Sequence, residues 1–346
     1  MKRHLAFAAA ATAVIFSMAV SACGGPATAD GGGGGQEVTT LRYQGSANSV
    51  TLPELAADLG YLGNIKLDWV GNTISGPQDI QSAATNQTDF GGAFTGAVVK
   101  LADAGAQITG VVNYYGSDSK SFGGYYVLNN SPIHTARDLI GKKIGVNTLG
   151  GQSEAVIHTY LLQNGLSEAE IKQVQLVVLP PNDTEQAVRR GQVDVGALGA
   201  VLQDRAVAAG GLRSLFSDFK LFGTFPGGQY VFRNDFIAKN PDTVRTFTTG
   251  VAKAIEWETK TPRADVIARF TKIIQARGRS ESTEALKYWK SVGVPHAGVI
   301  ENKNFTLWEG YLKDAGVISG ALQPEKYYTN KFNELAGTTA TAAAKG

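Results

Sequence analysis

Four short segments of the 346-residue chain combine glycine with hydroxyl or amide side chains, and each precedes a predicted helix. A helix start carries free backbone N–H groups and about half a positive charge, so it can hold an oxyanion without an arginine. The candidate ligand-binding residues are Ser46, Asn48, Ser75, Gly76, Thr95, Gly96, Gly150, Gly151, Gln152 and Ser153. Ordinary helix capping, worth about 1 kcal/mol, is the alternative role of Ser46, Asn48 and Thr95. A simple turn is the alternative for the two adjacent glycines.

Three further residues complete the candidate site. Tyr115 and Phe225 fall in loops beside two predicted crossings of the chain, where they line the apolar part of a pocket or pack at the crossing itself. Gly199 follows the second of two similar strand segments. No basic residue falls in the four polar segments, which favours a singly charged or neutral polar ligand unless nearby lysines fold in.

Residues that could support catalysis are scattered. The histidines are His4, His134, His158 and His296, and their spacing matches no metal-binding pattern. The sequence contains no GxSxG elbow, no second cysteine and no Walker-type loop. We therefore expect a protein that is not an enzyme and uses no cofactor or metal.

Cys23 is the single cysteine, and its surroundings point to lipid attachment. A basic start at Lys2 and Arg3 is followed by uncharged residues 5–20 and by small residues up to the cysteine. The segment resembles the lipobox of bacterial lipoproteins, which predicts a signal peptide over residues 1–22 and a lipidated Cys23. A chance cysteine in an ordinary signal peptide is the alternative. A membrane-spanning helix needs ~20 apolar residues, more than this run provides.

Composition limits the partners. Removing residues 1–22 changes the count from 32 basic and 30 acidic residues to 30 of each, so no basic surplus favours nucleic acid. Residues 23–37 are rich in glycine and predict a lipid-attached flexible tether, and residues 336–346 predict a disordered tail. The body between them has enough apolar residues for a sizeable core.

The body alternates short β-branched runs with helical patterns, which is typical of an α/β fold with largely parallel sheets. Two α/β units are followed by a helical section, in which residues 282–289 predict one of the helices. The glycine-led segments at residues 123–128 and 227–232 resemble each other and bracket the second unit. They predict two crossings, with lobe I over residues 38–128 and 228–335 and lobe II over residues 129–227.

Several segments together resemble a known family. They are Ser131-Pro132-Ile133, the DLIGKKIG run at 138–145, the LPPND run at 179–183, the RGQVD run at 190–194 and the QTDFG run at 87–91. In this order they are similar to substrate-binding proteins of ABC importers for nitrate, sulfonates and taurine. That resemblance implies a two-lobed type II periplasmic binding protein fold, in which each lobe is a mostly parallel sheet flanked by helices.

The resemblance also implies a function. We expect a monomeric extracytoplasmic protein, anchored by the lipid on Cys23, that captures a small organic anion and delivers it to the membrane permease. Sulfonate-type members commonly carry a Trp-Asp-Pro run after the second VDA strand, whereas this chain has Leu198 to Leu202 there, LGAVL. Taurine or alkanesulfonate therefore cannot be assigned as the ligand. A thiamine-pyrimidine-like heterocycle as the ligand, or a ligand-sensing lipoprotein, is the alternative.

Overall fold

The computed structural model describes residues 36–337. The predicted signal peptide, Cys23, residues 24–35 of the tether and residues 338–346 of the tail lie outside the described residues. The chain divides into two compact units, residues 1–36 and 37–346, and every element below belongs to the second. Within residues 36–337, no helix is both long and apolar enough to span a bilayer.

The folded body begins at Glu37, one residue earlier than predicted. The Glu37 carboxylate accepts hydrogen bonds from the backbone N–H groups of Asp242 at 3.2 Å and Thr243 at 2.7 Å. Both groups belong to the first turn of a long helix, where a carboxylate satisfies free donors and complements the helix dipole. Glu37, the last residue of the predicted tether, therefore belongs to the folded body. At the other end, Ala336 N–H still donates to the Asn333 carbonyl at 3.0 Å, so the body also extends one residue into the predicted tail.

The described residues 36–337 contain ten strands, which form two groups. Lobe I contains β1 (Thr40–Gly45), β2 (Lys66–Asn72), β3 (Phe90–Phe94), β4 (Ile108–Ser117) and β10 (Phe225–Arg233). Lobe II contains β5 (Gly123–Leu128), β6 (Lys143–Val146), β7 (Gln175–Val178), β8 (Val195–Gly199) and β9 (Leu212–Ser217). The order is β2-β1 beside β3-β10-β4 in lobe I and β7-β6-β8-β5-β9 in lobe II, so the two lobes repeat one arrangement.

The α/β, two-lobed fold predicted from the sequence is confirmed, but its sheets are mixed rather than mostly parallel. β1 and β2 pair in parallel, as do β6 with β7 and β8. β10 is antiparallel to β3 and β4, and β5 is antiparallel to β8 and β9. Each exception is the strand that has just crossed from the other lobe, and it therefore enters its sheet from the opposite end.

Thirteen α-helices lie among residues 36–337. Eight belong to the α/β units: α1 (Leu52–Asp58), α2 (Gly76–Ala84), α3 (Thr95–Asp103), α4 (Gln152–Gln163), α5 (Glu168–Ile171), α6 (Pro181–Arg189), α7 (Ala200–Ala208) and α8 (Asp218–Phe222). The others are α9 (Asn234–Lys239), α10 (Pro241–Lys260), α11 (Arg263–Ala276), α12 (Asn302–Thr306) and α13 (Glu309–Asp314). α1 shows why the sequence starts a helix where it does, because Thr51 and Glu54 form a reciprocal capping box around Pro53.

The strand pairing moves both predicted lobe boundaries. β5 pairs within lobe II, so the first crossing lies between Ser117 and Gly123 rather than after Leu128. β10 starts at Phe225 and pairs within lobe I, so the second crossing lies before that residue rather than after Gly227. The glycine-led repeats mark strands that begin just after a crossing.

A third connection joins the lobes. We call residues 277–291 the strap. At its start, Asn48 N–H donates to Glu281 at 2.7 Å and Ser282 N–H donates to the Asn48 side chain at 2.7 Å, which fixes the strap to lobe I. At its end, Lys290 Nζ lies 2.6 Å from Asp204 on α7 of lobe II. Between these points the predicted helix at 282–289 is only a 3-10 turn, Glu284–Tyr288, which packs on α7.

Two aromatic clusters form the centre of the core. Phe90 on β3 packs against Tyr43, Tyr230, Phe232 and Phe247, with ring centroids 4.5–5.9 Å apart. Trp308, between α12 and α13, packs edge-on against Phe94, Phe222 and Phe225 at 4.8–5.6 Å. The second cluster contains residues from lobe I and from the returning crossing, so burial of these rings holds the base of the two-lobed body together.

Candidate functional site

The lobes meet along a cleft at the carboxyl ends of their parallel strands, which is where open α/β sheets bind ligands. In the part of the chain that the structure describes, two hydrogen bonds join the loop after β2 to the loop after β6 across the cleft. The hydroxyl of Ser75, after β2, lies 2.9 Å from the hydroxyl of Thr148, after β6. The side-chain amide of Asn147 donates to the Ile74 carbonyl at 2.8 Å. We call this pair of bonds the cross-lobe contact, and it means that the structure has its lobes closed.

The floor of the cleft is built around Gly227 on β10. Thr95 Oγ1 donates to the Gly227 carbonyl at 3.2 Å and accepts from Gln229 Nε2 at 2.9 Å. The Tyr115 ring and the Gln152 side chain lie so close that a Cβ at Gly227 would sit 2.5 Å from the ring and 2.3 Å from Gln152 Oε1. Three predicted ligand contacts, Thr95, Tyr115 and Gln152, thus converge from both lobes on one glycine.

Gln152 also reaches a buried acid. Its Nε2 donates to Asp218 Oδ2 at 3.1 Å, while its Oε1 is buried and has no hydrogen-bond partner among residues 36–337. Asp218, which is 2% exposed, accepts from the Ser117 hydroxyl at 2.9 Å and from Gly123 N–H at 3.0 Å. Burial raises the pKa of Asp218 to about 6. Asp218 therefore ties the second crossing to the first and orients Gln152.

Asp79 is a second buried acid beside the cleft. It lies in the first turn and a half of α2, and its Oδ2 accepts from Gly92 N–H at 2.7 Å. Its Oδ1 is buried without a hydrogen-bond partner among the described residues. Burial raises the pKa of Asp79 to about 7, so the carboxyl is partly protonated near neutral pH.

The helix starts differ in how they are capped. Ser75 is the N-cap of α2, and its hydroxyl accepts from Gln78 N–H at 3.3 Å. α3, α4 and α7 begin after Phe94, Gly151 and Gly199, and none of these three helix starts has a side-chain cap. Their first N–H groups are therefore not occupied by a capping side chain, and all three starts lie at carboxyl ends of strands.

The remaining predicted residues have structural partners or stay apart from the floor. Asn48 is bonded to the strap, Ser46 is exposed, and α1 is capped by Thr51 instead of either. Phe225 is buried against Trp308 and does not line the cleft. The roles of the others are as follows: Gly76 packs on Ala93, Gly96 packs under Phe94, Gly150 takes a φ of +70°, and Ser153 accepts at its carbonyl from Tyr125.

Sequence reasoning missed several residues of the floor. Gly227 was visible only as part of the repeated Gly-Gly strand start, and Thr148 only as a neighbour of Gly150. Asp218 meets Gln152 across 66 residues of chain, and Gln229 meets Thr95 across 134, so no local pattern could have paired them.

One group of potential metal ligands exists among residues 36–337. Atoms of His158, Glu168 and Asp314 lie within 4.8 Å of one another. His158 Nε2 is 3.1 Å from Glu168, whose side chain is 47% exposed. The group consists of a hydrogen-bonded His158–Glu168 pair with a neighbouring acid, and it lies outside the cleft.

Two open surface cavities do not coincide with the candidate site. The larger, about 490 Å³, lies between α9, the start of α10 and Phe332. The other, about 280 Å³, lies beside it along residues 325–331. Neither is lined by any predicted ligand contact.

The fold and the cleft define a two-lobed periplasmic binding protein architecture. Over 85% of this chain and 99% of the other, the structure is similar to the alkanesulfonate-binding protein SsuA from Xanthomonas axonopodis pv. citri bound to MOPS, with 20% identity and a TM-score of 0.67. It is also similar to the periplasmic nitrate-binding protein NrtA from Synechocystis PCC 6803, with 14% identity, coverage of 88% and 89%, and a TM-score of 0.68.

Within this architecture the chain belongs to the NMT1/THI5-like family, whose model matches residues 55–265, more than half of the chain. A Brucella abortus protein named as a binding protein is 25% identical over 268 residues, covering 73% of this chain and 78% of the relative. The fold is not restricted to binding proteins, because the desulfurization enzyme DSZB shares it with 14% identity, coverage of 88% and 100%, and a TM-score of 0.55.

Proposed function

We propose that this protein is the extracytoplasmic solute-binding component of an ABC importer. It captures a small organic anion between its lobes and delivers it to a membrane permease. The convergence of Thr95, Tyr115 and Gln152 on Gly227 carries the proposal, because Thr95 and Tyr115 come from lobe I and Gln152 comes from lobe II. A ligand that contacts both lobes stabilises the closed form over the open form, and the closed form is the signal that a permease would read.

The helix starts favour an anion. α3, α4 and α7 begin at the cleft without side-chain caps, so their free N–H groups and helix dipoles would stabilise negative charge there. The solved relatives named for sulfonate and nitrate binding agree with this charge. The floor holds a buried acid, Asp218, which opposes a multiply charged ligand. A singly charged organic anion satisfies both conditions.

A thiamine-pyrimidine-like heterocycle is the second candidate ligand. It is favoured by the unpaired buried oxygen of Gln152, which would accept from a ring amino group, and by the Tyr115 ring at the floor. The two candidates differ in charge, which makes them separable by experiment.

Ligand binding is tested by thermal unfolding with a panel of ethanesulfonate, taurine, nitrate, bicarbonate and an aminopyrimidine. A compound present at 100 times its Kd stabilises the folded state by about 2.7 kcal/mol. Gln152→Ala should weaken binding of the active compound about tenfold, since it removes a floor contact. Gln173→Ala is the matched control, because the Gln173 side chain is exposed on lobe II, where its amide donates to the Ala169 carbonyl at 3.3 Å. If no compound in a broad panel raises Tm, or if a compound is converted to product, the binding role loses its support.

Lipid anchoring through Cys23 is a separate proposal that rests on the sequence of residues 1–23. A tethered receptor stays near its permease, which raises its effective concentration there. Replacing Cys23 with Ala should move the protein from the membrane fraction to the soluble fraction. Unchanged fractionation would remove the support for the anchor.

A further inference from the structure

One arginine reaches the lobe I edge of the cleft from the far end of the chain. Arg279, on the strap, stacks over the Trp69 ring at 4.0 Å from its centroid. Trp69 belongs to β2, and its ring lies beside the end of β1, where a Cβ at Gly45 would sit 3.2 Å from the indole nitrogen. The indole donates to Asn72 at 3.1 Å, three residues before the Ser75 hydroxyl of the cross-lobe contact. The pair therefore lies on the cleft side of lobe I.

Arg279 forms a long ion pair with the buried Glu54 carboxylate, and its N–H donors have no short hydrogen bond among residues 36–337. Its two polar contacts are long, 3.5 Å to Glu54 Oε1 and 3.4 Å to the Tyr43 hydroxyl. A guanidinium has five donors and normally makes charge-assisted bonds of about 2.7–2.9 Å. Most of the hydrogen-bonding capacity of Arg279 is thus unused.

The Glu54 carboxylate has shorter hydrogen bonds to other partners than to Arg279. Its Oε1 already accepts from the Tyr43 hydroxyl at 2.6 Å and from Arg277 at 2.9 Å. Its Oε2 accepts from the backbone and the hydroxyl of Thr51 at 2.9 and 3.0 Å. Arg277 also donates to the Ser49 carbonyl at 2.7 Å, so Arg277 is the structural cation of this cluster. Arg279 is the cation that remains available.

The surroundings keep Arg279 accessible and oriented. Its side chain is 17% exposed, and Trp69 is 38% exposed on a strand that pairs only with β1 in the described part of the chain. Stacking on an aromatic face leaves the in-plane N–H donors of a guanidinium free. β1 contacts β3, and β3 pairs with the floor strand β10, so the arginine edge and the floor belong to the same lobe.

We propose that Arg279, held on Trp69, is the anion-recognition group of the cleft, and that the ligand is therefore a small organic anion rather than a neutral heterocycle. This inference rests on the proposed function for its ligand but concerns a residue that can be tested without one. Arg279 binds the anionic head group, and the strap brings it to the site across more than 200 residues of chain.

The first experiment uses iodide as an anionic probe of Trp69 fluorescence and acrylamide as a neutral one, with Trp69→Phe to assign the emission. Arg279→Gln should lower the iodide quenching constant of Trp69 about twofold, because it removes the local positive charge, and should leave acrylamide quenching unchanged. Arg279→Lys should retain most of the iodide effect. Arg269→Gln is the matched control, since Arg269 also lies over a tryptophan, Trp257, but is paired with Asp58 at 2.6 Å. Equal iodide quenching of wild type and Arg279→Gln would overturn the proposal.

The second experiment measures affinity by calorimetry for the same panel. Arg279→Gln should weaken an anionic ligand about tenfold or more, with partial recovery in Arg279→Lys. If the aminopyrimidine binds and Arg279→Gln leaves its affinity unchanged, this inference is wrong while the binding function stands. If nothing binds, the binding function loses its support, and the iodide result alone decides whether Arg279 is an anion site.

Discussion

Asp218 is a carboxylic acid buried where the two crossings touch, and its titration should be measurable as stability. Its pKa rises from 3.8 to about 6 because burial penalises the charged form. A carboxyl with this difference between unfolded and folded states binds its proton more tightly when folded, by about 3 kcal/mol. The stabilisation is complete below pH 4 and is lost as the pH rises through 6.

Asp218→Asn removes this titration without removing the contacts. The Asn Oδ1 can still accept from Ser117 and Gly123, and its amide can donate to Gln152 Oε1 once the Gln152 amide rotates. That rotation would also satisfy an oxygen that is buried without a partner among the described residues. The variant should equal wild type near pH 4 and exceed it by up to about 3 kcal/mol, roughly 6 °C in Tm, at pH 7.5.

The assay is urea unfolding of wild type and variant from pH 4 to 8. Asp79 and Glu258, which are also buried and have pKa values raised to about 7 and about 8, titrate in both proteins and cancel in the difference. Asp68→Asn is the control, because it makes the same chemical change on an exposed strand position. A stability difference that stays constant across this pH range would refute the reasoning.

Three other substitutions test separate contacts. Gly228→Ala should lower the free energy of unfolding in urea by about 3 kcal/mol, because its Cβ would lie 2.0 Å from the Ala93 carbonyl oxygen. Gly310→Ala is the control and should not destabilise the protein, because no atom lies within 4 Å of its Cβ, and equal effects of the two substitutions would contradict the packing argument. Glu37→Ala should lower the free energy of unfolding by about 1 kcal/mol, because it removes the carboxylate that caps α10. An unchanged urea midpoint would show that this cap does not stabilise the protein. Thr148→Ala should raise the open population about fivefold, seen as a larger radius of gyration by small-angle X-ray scattering, and an unchanged radius would count against the cross-lobe contact.

The fold could be read from the sequence because its signals are local. Alternation of short strands and helices predicted an α/β body, and the two Gly-Gly strand starts predicted two crossings. The boundaries were misplaced because a strand beside a crossing carries no mark of the sheet it will join. Both β5 and β10 join the sheet that follows the crossing. The sheet direction was misjudged for the same reason, since each entering strand runs against its neighbours.

The same distinction between local signals and distant partners separates the site residues that could be predicted from those that could not. Thr95 and Gln152 could be proposed because a polar residue at a helix start is a local pattern, and both lie at the floor. The sequence was equally compatible with Phe225 lining the pocket and with Phe225 packing at the crossing, and in the structure it packs against Trp308. Asp218 and Arg279 could not be proposed, because their partners lie 66 and more than 200 residues away. The sequence showed no cation in the polar loops, and the fold brings one there on the strap.

The strap also limits how the two lobes can move. Two crossings placed side by side define one axis of rotation, and a body joined only there could both open and twist. The strap adds attachment points on each lobe, at Asn48 and at Asp204, which lie on different elements from the crossings. Twisting would stretch the strap, whereas opening would part the Lys290–Asp204 pair, the cross-lobe contact and the hydrogen bond from Tyr311 to Glu154, and would unbend the short 3-10 turn. Opening is therefore the one easy motion that the lobes retain. The strap, which prevents twisting, also carries the arginine proposed to hold the ligand.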